Sequence, residues 1–284
     1  MKVLRLLSLL LIVSVSSMAQ NKVLVAAHRG DWRNAPENSL LAFKYAAAMG
    51  VDIVELDLKK TKDGEIIIMH DETIDRVSDG KGKPSDYTLE EIRKFRLRNG
   101  LGRITNNTIP TLREVMIALK GKVMVNLDKS YDYYNEAYAI LKETGTLKQG
   151  IFKSDVTYTT LKQRYPLLID SIIYMPVVNL DKPGAKEIIT DYLQYMKPYA
   201  FELIFQQDTS GVLHNNAFIS KRSSAIWINS LWASLNAGHD DDKAVEEGNT
   251  RDSWDWLLAH GATILQTDRP ALLLQYLRRK KLHN

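Results

Sequence analysis

Short apolar, β-branched runs recur along this 284-residue chain at 23–27, 53–58, 66–69, 123–127, 151–152, 172–175, 200–205, 225–229 and 263–266. Stretches of helical periodicity lie between most of them, at 39–49, 89–95, 112–119, 134–143, 185–196 and 253–260. The first of these carries Leu40, Phe43 and Ala47 on one face. Strands separated by helices are expected to run parallel, as successive βαβ units. About eight such units in roughly 265 residues match the usual size of a (β/α)8 TIM-type barrel, so the chain reads as one α/β domain over 20–284. The other arrangement, an open doubly wound sheet, lacks its sign here, because no Gly-rich dinucleotide turn opens the first helix.

The stretch from Asp71 to Lys122 is long for a single connection. It holds turn residues (Ser78, Asp79, Gly80, Gly82, Pro84) and then short helical patterns. Barrel sites are built from loops that follow strands. An insertion directly after the third strand and His70 is therefore expected to lie over the site. A second polar stretch, 236–252, also follows a strand, and no linker or internal repeat divides the chain.

Residues 1–19 read as a secretory signal peptide: Lys2 and Arg5, an apolar run from Leu6 to Val15, then Ser17 and Ala19 before a cut at Gln20. The run is short of the roughly 20 residues a bilayer span needs, so no stable membrane anchor is expected. The chain has no Cys, which excludes disulfides, thiolate metal sites and a lipidated cysteine. A soluble periplasmic or secreted protein follows. The net charge of +4 is small, and the basic run Arg278–Lys281 suits a helix C-terminus. No basic stripe with interleaved aromatics points to nucleic acid.

Four polar motifs lie in or at the ends of predicted strands: His28-Arg29-Gly30, Glu55-Leu56-Asp57, His70-Asp71 and Asn126-Leu127-Asp128. Strand side chains alternate, so Glu55 and Asp57 share one face while Val54, Leu56 and Leu58 share the other. In a barrel the carboxylate face should turn inward. The same alternation puts Asn126 and Asp128 together, and Lys129 opposite them. Neighbouring buried carboxylates repel, and a divalent cation relieves the repulsion. An all-oxygen donor set favours Mg2+ or Ca2+ over Zn2+. Each motif alone has a plainer reading: a strand cap, a solvated acidic face, a core histidine. Their joint placement at strand ends favours a site.

Taken in order, these motifs, with Pro36-Glu37-Asn38-Ser39, Ala42-Phe43, Gly50, Thr61-Lys62-Asp63-Gly64, Arg76, Gly80, Gly82, Ile109-Pro110-Thr111-Leu112, Glu114 and Thr267-Asp268-Arg269-Pro270, resemble those of the glycerophosphodiester phosphodiesterase family, in its bacterial, exported form. The likeness is clear over 26–128 and 261–271 and weak between. It implies a metal-dependent phosphoric diester hydrolase that releases glycerol 3-phosphate and an alcohol. By the same resemblance His28 and His70 are the general acid and base, Arg29 contacts the phosphate, and Glu55, Asp57 and Asp128 hold the metal. Phosphoinositide or lysophospholipid diesters are alternative substrates, and a non-catalytic phosphate-ester binding protein is a third reading.

The chain departs from the family on the fourth strand. Asp128 stands where a glutamate is usual, and Ser130 where a lysine is usual. Lys153 is a candidate for the missing charge, although a surface lysine is the plainer reading. Glu202, inside an apolar run, is a candidate buried acid. Trp227, Asn229, Trp232, Asn236 and His239 are candidate pocket walls or plain core, and Trp227 is counted with Lys153 and Glu202 as substrate-binding. The run from His239 to Asp242 suits either a second cation or a solvated loop.

Overall fold

The computed structural model describes residues 22–284. The signal-peptide reading of 1–19 lies outside the described residues. Nine strands form: β1 Leu24–Ala27, β2 Ile53–Lys60, β3 Ile66–Ile68, β4 Met124–Asp128, β5 Gly150–Ser154, β6 Ile173–Asn179, β7 Ala200–Ile204, β8 Ala225–Asn229 and β9 Ile264–Thr267. Eight of them pair in parallel in the order β1-β2-β4-β5-β6-β7-β8-β9, and β9 returns to β1 to close the barrel.

The exception is β3. The third strand is not a barrel stave: it pairs antiparallel with the end of β2, Leu58 opposite Ile68 and Lys60 opposite Ile66. The cause is local. Thr61 Oγ1 donates to Asp63 across the reversal, and Gly64 at φ +89° supplies the left-handed residue the turn needs. The motif Thr61-Lys62-Asp63-Gly64 is thus a hairpin turn. The insertion that follows has its own small core of Ile67, Met69, Ile74, Val77, Ile92, Leu97 and Ile109.

Strand alternation divides the main core in two. Ala26, Ile53, Ile151, Met175, Ala200, Trp227 and Ile264 fill the barrel interior. Val54, Leu56, Val125, Leu127 and Phe152 face outward into a larger cluster against the helices. Several signature residues serve this packing. Ser39 caps the helix Leu40–Met49 by accepting from the Ala42 amide. Thr111 and Glu114 form a reciprocal capping box that starts the helix Leu112–Leu119. Helices at Tyr158–Arg164 and Pro270–Arg279 add to those expected from periodicity. Among the described residues no helix is long and apolar enough to cross a membrane.

Candidate active site

Register brings three carboxylates together. Glu55 lies opposite Asn126, and Asp57 opposite Asp128, on the paired strands β2 and β4. One oxygen from each of Glu55, Asp57 and Asp128 falls within 4.8 Å of the others. Glu55 and Asp57 are each 1% exposed. Burial, and next the charge of Asp57, push Glu55 up to about 8. Three acids so placed cannot all ionise at neutral pH without a nearby cation. The amide of Asn126, buried beside them, has no hydrogen-bond partner on either its oxygen or its nitrogen. A hard divalent cation fits this donor set, and Glu55, Asp57 and Asp128 are the residues that would hold it.

Lys153 is not a surface lysine. It is 7% exposed, and its ammonium lies 2.9 Å from Glu202 Oε2 and 3.1 Å from Asp128 Oδ2. Burial alone would lower an ammonium pKa; the charges of Asp128 and Glu202 overcome it and raise Lys153. Glu202 also accepts from the Asn229 amide at 2.8 Å, and Asn229 accepts from the Trp227 indole at 2.8 Å. Trp227 is 0% exposed and fills the barrel, so it is no pocket wall; its reach toward the site ends at Asn229. Ser130 is buried and donates to the Leu127 carbonyl at 2.6 Å. The cation nearest the end of β4 therefore comes from the neighbouring strand. Lys129, just past β4, points its ammonium at the His70 carbonyl, 2.7 Å away.

Each histidine has a carboxylate behind it. His28 Nδ1 lies 2.8 Å from Asp268, and His70 Nδ1 lies 2.7 Å from Asp71. In each case Nε2 is left for other work. Burial depresses His28, but the hydrogen bond to Asp268 and the charge of Glu55 outweigh it, so its pKa is raised. Asp268 also accepts from the Trp32 indole at 2.6 Å.

Between the histidines runs a network the motifs contain but do not explain by themselves. Arg29 sits at φ +54°, a conformation that costs a side-chain-bearing residue about 1–3 kcal/mol. There its amide donates to Glu55 at 2.9 Å and its guanidinium to Glu37 at 2.9 Å. Gly30 follows because a Cβ there would come within 2.7 Å of the Ala42 backbone. Glu37 also receives Arg76, which binds Asp71 in turn. Asn38 donates to Asp57 at 2.9 Å.

Asp241 is neither solvated nor a cation ligand. It is 1% exposed and accepts from Ser230, Trp254, Thr267 and the Asp268 amide. Its neighbours are also occupied: Asp240 caps a helix, Asp242 pairs with Arg269, and His239 meets the Asp252 carbonyl. Among the described residues, Glu55, Asp57 and Asp128 are the one group of three or more such side chains able to hold a metal.

Two openings flank the site. A cavity of about 410 Å3 is bounded by His28, Arg29, Asp268, the two tryptophans Trp32 and Trp232, and arginines of the insertion. A cleft of about 310 Å3 on the other side includes Asp128, Lys153, Ser154, Asp155 and Glu202.

Known proteins are similar to this chain to different extents. Glycerophosphodiester phosphodiesterase of Caldanaerobacter subterraneus is 46% identical over 109 residues, which is 38% of this chain and 45% of that one. Human glycerophosphodiester phosphodiesterase 1 is 44% identical over 34% of this chain and 30% of its own. The chain thus aligns with less than half the length of these curated relatives. A crystal structure of a glycerophosphoryl diester phosphodiesterase from Parabacteroides distasonis superposes with a TM-score of 0.77 at 24% identity, over 92% of this chain and 88% of that one. A phosphodiesterase from Oleispira antarctica, in complex with the product sn-glycerol-3-phosphate, superposes at 0.66 with 20% identity, over 90% and 97%. These two establish the shared fold. Residues 174–277 match a domain of unknown function. Residues 28–169, half of the sequence, match the glycerophosphoryl diester phosphodiesterase family, and the chain belongs to it.

Proposed function

We propose that the chain hydrolyses glycerophosphodiesters to glycerol 3-phosphate and an alcohol, with Mg2+ or Ca2+ at Glu55, Asp57 and Asp128. The observation that carries this reading is the pair of carboxylate-backed histidines at the mouth that holds the three-acid cluster. A bound divalent ion supplies charge stabilisation to the phosphoryl oxygens. The remaining work falls to side chains. Arg29 Nε makes no hydrogen bond and lies 3.6 Å from Asp57 Oδ2, which sets the guanidinium beside the acid cluster; this guanidinium is the donor we assign to a phosphate oxygen. His28, with its raised pKa, suits protonating the leaving alkoxide as its bond to phosphorus breaks. His70 then takes a proton from the water whose oxygen forms the new bond to phosphorus. Asp268 and Asp71 fix the orientation of the two rings through their contacts with Nδ1. The Oleispira complex with sn-glycerol-3-phosphate supports the product assignment.

The test is an assay of the purified protein on glycerophosphocholine, with and without a chelator and with product identification. Glycerol 3-phosphate should appear only when a divalent ion is present. His28→Ala and His70→Ala should each lose about 10²–10⁴-fold in rate. Failure to cleave any glycerophosphodiester, or cleavage indifferent to chelation, overturns the reading.

A further inference from the structure

Three arginines line the cavity beside His28, and their charges are not equally spent. Arg29 is paired with Glu37, and Arg76 with Glu37 and Asp71. Arg98 is held only by neutral groups: its Nε donates to the Ser78 carbonyl at 2.8 Å and its Nη1 to the Gly102 carbonyl at 3.1 Å. Among the described residues no carboxylate forms an ion pair with Arg98. The loop that presents it is also fixed. Asn99 Oδ1 accepts from the amides of Leu101 and Arg103, and the Gly102 amide returns to the Asn99 carbonyl. The result is a guanidinium on the cavity wall, anchored through two of its nitrogens to neutral carbonyls and facing no carboxylate partner.

The carboxylates on the cavity wall are already paired, Glu37 with Arg29 and Arg76 and Asp268 with His28. The face of Trp32 is already covered by the guanidinium of Arg33, 4.4 Å from the ring centroid, so it does not serve as a cation cage. Trp232, 45% exposed and edge-on to His28 at 5.8 Å, offers an apolar surface on the other side.

We propose that Arg98 forms a subsite for an anionic group, a carboxylate or second phosphate, on the alcohol half of the substrate. The inference rests on the function proposed above. The group that protonates the leaving alkoxide must touch the leaving oxygen, and His28 lines this cavity. The alcohol half therefore extends past His28 into the space that Arg98 faces. The polar cleft beside Lys153 is left for the glycerol hydroxyls. A guanidinium without a carboxylate partner pairs with a carboxylate or phosphate through charge-assisted hydrogen bonds, and it repels an ammonium.

The experiment compares sn-glycero-3-phosphoserine with sn-glycero-3-phosphoethanolamine, which differ by one carboxylate. The readout is the ratio of their kcat/KM values, which is independent of the fraction of active protein. In the wild-type protein the serine diester should be favoured by about 10-fold or more. The ratio should fall toward one in Arg98→Ala, below one in Arg98→Glu, and recover in part in Arg98→Lys. If the variants do not fold, salt provides the second measurement. Raising ionic strength to about 0.5 M should shrink the wild-type ratio, because screening weakens a half-exposed charge pair. A wild-type ratio near one, or one unmoved by both Arg98 substitution and salt, overturns the inference while the proposed function stands. Failure to cleave either diester overturns both.

Discussion

Lys153 on β5 donates to Glu202 on β7, and the same ammonium lies 3.1 Å from Asp128 at the end of β4. One buried cation thus ties three strands together at the mouth of the barrel. It also stabilises the ionised form of one member of the acidic cluster, Asp128. Burial opposes ionisation of Asp128, but Lys153 and the Lys129 amide hold its pKa below the usual carboxylate range.

Removing this cation should be expensive. Lys153→Met leaves Glu202 buried with a hydrogen bond only from Asn229. Breaking one side of a buried pair costs about 3–5 kcal/mol. For a domain of this size that lowers Tm by roughly 10 °C. Adding Glu202→Gln should restore part of the loss, since only the partly exposed Asp128 then lacks its partner. Thermal melts of the single and double variants decide it; equal melts for both would show that Glu202 does not depend on Lys153.

Asp128 and Lys129 are neighbours with separate work. Loss of a residue that merely orients a metal ligand costs about 10–100-fold in affinity, so Asp128→Ala, which removes a ligand, should weaken metal binding at least that much. Lys129→Ala should leave metal affinity unchanged, because its ammonium meets the His70 carbonyl instead. A modest loss of turnover, under about 10-fold, is expected from the freed His70 loop. Calorimetric titration with Mg2+ and Ca2+ separates the two. A Lys129 variant that lost metal as Asp128→Ala does would place that side chain in the cluster.

This part of the site was legible because strand alternation is strict. The inward set Glu55, Asp57, Asn126 and Asp128 follows from which neighbours are apolar, and the pairing of β2 with β4 then puts Asp57 opposite Asp128. Lys153 was harder to place. Its partners lie on β4 and β7, and no pattern within 150–154 states which strands will stand beside it. The antiparallel course of β3 had a signal, Asp63-Gly64 between two apolar runs, but the run 66–69 looks the same in either direction. Trp227 and Asp241 failed for one reason. Whether an aromatic or an acid near a strand end is buried depends on what packs over it, here Asn229 and the Trp254 side chain respectively.

The pH profile should report on Asp268. Burial lowers the His28 pKa, and the hydrogen bond and charge of Asp268, with Glu55, raise it past the ordinary value. If His28 must be protonated to act as the acid, activity is present below its pKa and lost as pH rises through it. The alkaline limb of kcat/KM should therefore lie above the pH where an unperturbed imidazole of about 6.5 would put it. Asp268→Asn removes the main raising partner, so the limb should move to lower pH and kcat/KM should fall. A limb that stays in place in this variant would assign the titration to another group.

The last prediction concerns Asp241, which holds the far end of the same line. Its Oδ2 accepts from Thr267 and the Asp268 amide, and its Oδ1 from Ser230 and the Trp254 indole. Burial nevertheless pushes its pKa up to about 7, against those four donors. The protonated form has a way to fit. Ser230 Oγ also lies 3.0 Å from the Gln266 carbonyl, so its hydroxyl can donate there and accept a hydrogen bond from protonated Asp241. Because the folded pKa is the higher one, the folded state binds the extra proton between about pH 4 and 7. This group's contribution to stability is thus full below about pH 4 and lost as pH rises through about 7. Asp241→Asn cannot titrate, and its amide nitrogen must face the indole N–H of Trp254 or the donors on Oδ2. Leaving a buried donor unpaired costs about 1–3 kcal/mol. The variant should therefore melt lower than wild type at pH 5 and show a shallower loss of Tm between pH 5 and 8. Its kcat should also drop where the amide nitrogen takes the Oδ2 side, because the Asp268 amide then loses the acceptor that sets Asp268 behind His28. The same pH slope in variant and wild type would remove Asp241 from this account, and an unchanged kcat would confine it to stability.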